Sequence, residues 1–110
     1  MSSLSQEISL IITTIDCKDA AKKLIKSLIS QKLAVCALTQ DISSTYHWND
    51  EIQESKEYLI TFKTLNKLSQ QLRETIEKEH SYDTCFVAEI KTDHCNLNYL
   101  NYAKSYLLKQ

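Results

Sequence analysis

The sequence predicts an α+β fold: one antiparallel sheet with two helices on one side and a further helix at the C-terminal end. Three observations predict it. Apolar, β-branched runs alternate with segments of helical periodicity in the order β-α-β-β-α-β-α. The two middle runs are joined by four polar or aromatic residues, which makes them a hairpin. The chain has 110 residues, 43% apolar and 25% charged, which suits one domain (1–110) with one core.

Each element has its own signature. "EISLIITTI" (Glu7 to Ile15) is β-branched and apolar, and reads as a strand buried on both faces. Asp16 is placed to cap the helix that follows, with Asp19 favouring its positive end. From Cys17 to Lys32, Ala21, Leu24, Leu28 and Ile29 share one stripe. Lys18, Lys22, Lys23 and Lys26 fall opposite and read as a solvated face. "LAVCALTQDISSTY" (Leu33 to Tyr46) and "EIQESKEYLITFKT" (Glu51 to Thr64) are strands, joined at His47-Trp48-Asn49-Asp50. Leu65, Leu68, Leu72 and Ile76 mark a second helix up to His80, with Thr64 as its cap. "TCFVAEIK" (Thr84 to Lys91) is a fourth strand. "NLNYLNYAKSYLL" (Asn96 to Leu108) is a terminal helix with Leu97, Leu100, Ala103 and Leu107 on one side.

The first six elements make the split βαβ, ferredoxin-like sandwich, and right-handed crossovers put both main helices on the same face of the sheet. The other face is then a problem. Ile8, Leu10 and Ile12 lie on one side of the first strand, Ile11 and Ile15 on the other. An uncovered apolar face exceeds what a lone chain tolerates in water, so self-association through the sheet is expected. The middle strands, each about fourteen residues against a typical five or six, are long enough to reach a neighbouring copy. Trp48, the only tryptophan, would sit at the tip of that hairpin.

Other classes are disfavoured. A formal net charge of −1 argues against non-specific nucleic-acid binding. No apolar run reaches the roughly 18 residues of a membrane span. "MSSLSQEISL" lacks the basic and apolar regions of a secretory leader, which makes the cytoplasm the expected location. Cys17, Cys36, Cys85 and Cys95 form no CxxC pair and are expected as free thiols. The chain has no glycine and no proline, so its turns fall to Asn, Asp, Ser or similar residues.

Four stretches in register carry a resemblance. "KLAVCA" (Lys32 to Ala37), "STYHWNDEI" (Ser44 to Ile52), "ESKEYLITFKT" (Glu54 to Thr64) and "HSYDT" (His80 to Thr84) resemble the CutA family of divalent-cation tolerance proteins, over almost the whole chain. The resemblance implies a homotrimer of ferredoxin-like subunits, similar in build to the PII signalling proteins. It further implies involvement with copper or another divalent metal ion, and it brings no established enzymatic reaction. Cys36 falls on the family's common cysteine, and Tyr46 and Trp48 on its Tyr-x-Trp. Glu57 falls on its acidic residue at the start of the third strand, Lys63 and Thr64 on its Lys-Thr, and His80 and Tyr82 on its His-Pro-Tyr. Three positions depart. Asp50 stands where the family has glycine, so the tip uses an Asp in the left-handed region or a different turn. Ser81 and Cys85 replace prolines, which leaves the loop before the fourth strand less pre-set.

Several chemistries compete for these residues. Copper favours thiolate and imidazole, and zinc accepts both. The chain offers four cysteines and three histidines, His47, His80 and His94, without a ligand spacing; Cys36 and His80 are the metal candidates. Cys36 reads equally as a small buried hydrophobe, and Cys17 gains thiolate character from a helix start. Tyr46, Trp48, Glu57, Lys63 and Tyr82 form the ligand-binding candidates. In one reading the aromatics anchor a subunit interface while Glu57 and Lys63 satisfy each other. In the other, an inter-subunit cleft takes a small anionic ligand on Lys63 with an aromatic stacked on it, or a partner protein. No glycine-rich phosphate cradle and no hydrolase motif is present, and Glu54 and Glu57 read as solvated, so no enzyme is expected.

Overall fold

The computed structural model describes residues 7–109. It contains β1 (Ile8–Ile15), α1 (Lys18–Ser30), β2 (Cys36–Trp48), β3 (Glu51–Leu65), α2 (Asn66–Glu79), β4 (Val87–Lys91) and α3 (Leu97–Leu107), in the order the sequence predicts. The strands form one antiparallel sheet ordered β2-β3-β1-β4, the ferredoxin-like arrangement. The reading of the first ten residues as no secretory leader falls largely on residues 1–6, outside the described residues.

Period-two alternation sorts β1 into two surfaces. Ile11 and Ile15 face the main helices and meet Ile60 and Phe62 of β3. Helix α1 adds Ala21, Leu24 and Leu28, and α2 adds Leu72 and Ile76; all are buried in one cluster. The four α1 lysines are exposed, as the stripe predicts.

The second surface is not left bare along its whole length. Helix α3 returns to it and packs Leu100, Ala103 and Leu107 against Ile8, Val35 and Leu65. The expectation that helices serve one side only is thus corrected: α3 seals one end of the opposite face. Leu97 does not join that stripe and stays 66% exposed, because it opens the helix where the chain has yet to reach the sheet. Past the reach of α3, Leu38 and Ile90 are each 49% exposed.

The helix ends differ from the sequence reading. Cys17, not Asp16, occupies the cap position of α1, and Leu65, not Thr64, that of α2; neither makes a side-chain cap bond. Thr64 stays in β3, where its hydroxyl donates to the Leu33 carbonyl at 2.6 Å and ties β3 to the lead-in of β2. A lysine two residues past the end of α1 closes the helix. Lys32 has φ 59°. The N–H of Leu33 reaches back to the Leu28 carbonyl, and that of Lys32 to Ile29. This is a Schellman closure, normally built on glycine. The Lys32 ammonium lies 5.2 Å from the Tyr106 ring centroid, one contact that holds α3 to this corner.

A polar cluster bridges the sheet and α2. Glu89 of β4 accepts from the Ser9 hydroxyl at 2.7 Å and pairs with Arg73 at 3.0 Å. Burial by itself would raise the Glu89 carboxyl, but the hydrogen bond from Ser9, the nearby Ser69 hydroxyl and the charges of Arg73 and Lys91 outweigh it and hold the group below the usual carboxylate range. A depressed folded-state value stabilises the protein above the unfolded value and loses that contribution as pH falls through the folded one. Urea unfolding at pH 7 is therefore expected to show Glu89→Gln about 1–3 kcal/mol less stable. Below about pH 4 the difference from the parent is expected to shrink, since protonation removes the same charge.

Candidate functional site

The site is built on the hairpin. Strands β2 and β3 pair from Cys36↔Lys63 to Trp48↔Glu51. Strand β1 accompanies β3 only as far as Ile15↔Tyr58. Beyond that point the hairpin continues as a two-stranded ribbon, and the molecule reaches 47 Å in its longest dimension. Asn49 and Asp50 close the tip with φ of 52° and 62°. Two successive left-handed residues make a type I′ turn, whose twist matches the strands. Asp50 thus takes the left-handed form the sequence allowed for. Since its side chain is fully exposed, Asp50→Gly is expected to raise stability by up to about 1 kcal/mol, read as a higher urea midpoint.

Tyr46, Trp48 and Glu57 lie on one face of the ribbon, since their pairs alternate in phase. The segment after α2 crosses toward that face and is tied down by His80. The His80 Nε2 lies 2.9 Å from the Thr14 carbonyl, and its Nδ1 accepts the Tyr82 backbone N–H at 3.0 Å. Nδ1 is therefore the unprotonated nitrogen, and Nε2 donates to Thr14. The Tyr82 ring sits 4.7 Å from the imidazole. Its hydroxyl donates to one Glu57 oxygen at 2.6 Å, and the Ser44 hydroxyl donates to the other. These bonds hold the loop in place without the prolines that Ser81 and Cys85 replace.

Together these elements enclose an open cleft of about 660 Å³. Tyr46, Trp48, Tyr82 and Phe86 supply aromatic surface, and Asp16, Glu57 and Asp83 supply carboxylates. Among the described residues, no lysine, arginine or histidine lines it. The Tyr82 hydroxyl is pushed well above the ordinary tyrosine range, first by burial, then by its bond to Glu57, then by the charges of Glu57 and Asp16. It stays a donor throughout the neutral range.

The structure thus gathers Tyr46, Trp48, Glu57 and Tyr82 and leaves three candidates outside. Lys63 lies six residues from Glu57 along β3, about 20 Å at strand rise. Its ammonium stands 4.8 Å from the Tyr99 ring centroid. This distance corrects the expectation that it pairs with Glu57, and it places Lys63 outside the cleft within one chain. Cys36 is its cross-strand partner. Cys36 and Tyr99 pack against the same α3 cluster, and burial first, with the neighbouring Cys36 second, pushes the Tyr99 hydroxyl up to about 12. Cys36 therefore packs under α3. His80 uses both ring nitrogens within the fold, at the other end of β1 from Cys36. Among the described residues, no three His, Cys, Asp or Glu side chains stand together as a metal site. His94 is exposed, while Cys95 packs against the α3 cluster, so this adjacent pair diverges.

Asp16, Asp83 and Phe86 were not legible as cleft residues. Asp16 carries the signal of a helix cap, and Phe86 that of a strand residue. Only Asp83 had a clue, since it directly follows Tyr82. The bond network makes a measurable statement: Tyr82→Phe removes a donor from a charged acceptor. The variant is expected to lose about 1–3 kcal/mol in urea unfolding and, in alkaline absorbance titration, to lack the phenol that ionises at the highest pH.

The profile of the family described as CutA1 divalent ion tolerance protein matches residues 9–106. The chain is 34% identical over 93 residues to the divalent-cation tolerance protein CutA of Thermococcus kodakarensis, covering 84% of this chain and 89% of that protein. Against the chloroplastic protein CutA 1 of Oryza sativa the identity is 34% over 96 residues, 86% of this chain but 54% of that protein. The crystal structure of divalent ion tolerance protein CutA1 from Ehrlichia chaffeensis superposes with a TM-score of 0.89 at 31% identity, over 93% of this chain and 96% of that one. CutA1 from Oryza sativa superposes with a TM-score of 0.86 at 32% identity, over 93% and 94% of the respective chains. By sequence and by architecture, this chain belongs to the CutA1 divalent ion tolerance protein family.

Proposed function

We propose that this chain is a single-domain, non-catalytic protein of divalent-cation tolerance that works as a homotrimer in the cytoplasm. It meets copper or another divalent ion in weak, exchangeable contacts. Family membership supports the tolerance role. The observation that carries the assembly is the uncovered end of the second sheet face. Leu38 and Ile90 are half exposed there, and Phe86 and Trp48 are 53% and 61% exposed nearby. That surface is continuous with the projecting ribbon, and a two-stranded ribbon alone is marginal in water. A sister copy laid on the face would cover both; the three-fold order comes from the family resemblance.

The metal contact is read as weak because His80 is committed at both nitrogens and Cys36 is half buried under α3. Single exposed carboxylates, which no fixed site gathers, remain the weak donors for a hard divalent ion, and Cys36 the soft donor for Cu(I). Four free thiols support a reducing compartment. The non-catalytic reading is supported by Glu57, whose two oxygens accept from Ser44 and Tyr82. The PII-like alternative, an inter-subunit cleft for a small anionic ligand or a partner protein, is less favoured, since the cleft within one chain is lined by three carboxylates.

Size-exclusion chromatography with light scattering is expected to report three copies of 12.7 kDa, about 38 kDa. Leu38→Glu combined with Ile90→Glu is expected to shift it toward a single chain and to lower its melting temperature by several degrees (about 4–8 °C per kcal/mol lost). A folded single chain at micromolar concentration in the parent protein would overturn the assembly. Calorimetric titration of reduced protein with Cu(II), Cu(I) and Zn(II) is expected to show exchangeable binding. No heat at millimolar metal would remove direct contact.

A further inference from the structure

We propose that a pocket on the helix side of the sheet binds a small zwitterion with an apolar body, an α-amino acid of the leucine kind. The inference goes beyond the tolerance reading. The pocket lies between α1 and the end of α2, and its volume of about 440 Å³ suits a small molecule. Its floor is apolar, made by Ile15, Ala20 and Leu24. Ile15 and Leu24 belong to the core beneath the two main helices. A sister copy laid on the reverse sheet face and the ribbon leaves this side open. Each subunit of the assembly thus keeps its own pocket.

Two opposite charges flank the floor. Among the described residues, Lys23 of α1 and Glu79 of α2 are the only charged side chains in the lining. They do not pair with each other. The ion pairs among the described residues are His47–Asp50, Arg73–Glu89 and Lys104–Glu7. Lys23 is exposed, and its flexible four-carbon stem lets the ammonium follow a ligand. Glu79 is held instead. The Ser27 hydroxyl donates to one oxygen at 2.7 Å, and the Gln31 amide donates to the other at 3.0 Å. Gln31 also donates to the Ser27 hydroxyl at 2.9 Å. This network crosses from α1 to α2 and orients the carboxylate before any ligand arrives. A carboxylate has about four acceptor positions, so two bonds leave capacity for a third donor. Glu79 is the last residue of α2, where the negative end of the helix dipole adds to its charge.

The ligand's chemistry follows from this pairing. A plain anion would meet Glu79 with like charge, and a plain cation would meet Lys23. A molecule carrying both charges answers both walls. Its ammonium donates to Glu79, its carboxylate accepts from Lys23, and its side chain covers Ile15, Ala20 and Leu24.

Calorimetric titration of the full-length reduced protein with L-leucine tests this. Leucine is expected to bind saturably with a dissociation constant below about 1 mM. L-Leucinamide lacks the carboxylate, N-acetyl-L-leucine lacks the ammonium, and glycine lacks the apolar body. Each is expected to bind at least about ten-fold more weakly. Lys23→Gln and Glu79→Gln are each expected to weaken leucine by about ten-fold. The losses cross over: Lys23→Gln leaves leucinamide unchanged, and Glu79→Gln leaves N-acetyl-leucine unchanged. A purely structural effect of either substitution would weaken all the ligands alike. Lys26→Gln, on the same helix but outside the pocket, is expected to bind leucine as the parent does.

No heat with leucine at 10 mM (about ten times the expected ceiling) would overturn the inference. So would leucinamide or N-acetyl-leucine binding as tightly as leucine, or unchanged leucine affinity in both Gln variants. Light scattering on the same samples separates this result from the assembly reading. A trimer that ignores leucine sinks only the pocket inference, and a single chain that binds it sinks only the assembly.

Discussion

The register between β2 and β3 is the constraint on which the rest of the structure depends. Thirteen cross-strand pairs run from Cys36↔Lys63 to Trp48↔Glu51. A slip of one residue would turn every side chain of one strand to the opposite face. Glu57 would then lose Ser44, and Tyr46 and Trp48 would no longer share its surface. Two features fix the register. At the tip, the type I′ turn of Asn49 and Asp50 admits two residues and no more. At the base, Phe62 and Ile60 must stay buried between α1, α2 and the sheet, both at 0% exposure. Core and turn agree on one alignment, and the site inherits it.

The same sheet explains why the chain is comfortable on one face and not on the other. Two helices cover the Ile11–Ile15 surface with a closed cluster. One shorter helix, α3, seals only the Ile8–Leu65 end of the reverse surface. The register passes this imbalance to the ribbon. Past Ile15, β3 loses β1 as a neighbour, so the ribbon has open edges and a partly apolar face together. Exposed area of that kind is unfavourable in proportion to its size. This makes the ribbon the part of the molecule with most to gain from a covering partner.

Much of this was legible in the sequence. The alternation of Ile8 to Ile15, the stripe Ala21-Leu24-Leu28 and the Asn-Asp turn each state a local rule, and the structure obeys each one. What was not legible was placement across elements. Asp16 looks like a helix cap because Asp at that offset usually is one; instead Cys17 takes the cap position, and Asp16 lines the cleft. Lys32 looks like the last residue of a helix, and its left-handed φ is set by the Schellman bonds of the following chain. The reverse-face role of α3 depends on where the chain returns after β4, and periodicity carries no such information. Lys63 shows the difficulty most clearly. It shares a strand and a face with Glu57, so the two look like partners in sequence. Six residues of extended chain put them about 20 Å apart, whereas Tyr82, twenty-five residues from Glu57, touches it.

His80 turns this geometric point into a chemical one. An imidazole in a family named for divalent ions invites assignment as a ligand. Here one nitrogen faces the Thr14 carbonyl and the other accepts the Tyr82 amide, so a metal would have to break a bond that positions the cleft. Coordination by His80 and integrity of the Tyr82 segment are thus mutually exclusive. The residue that most resembles a metal ligand does its work by holding a tyrosine against a carboxylate. What that arrangement presents to solvent is negative charge framed by ring faces.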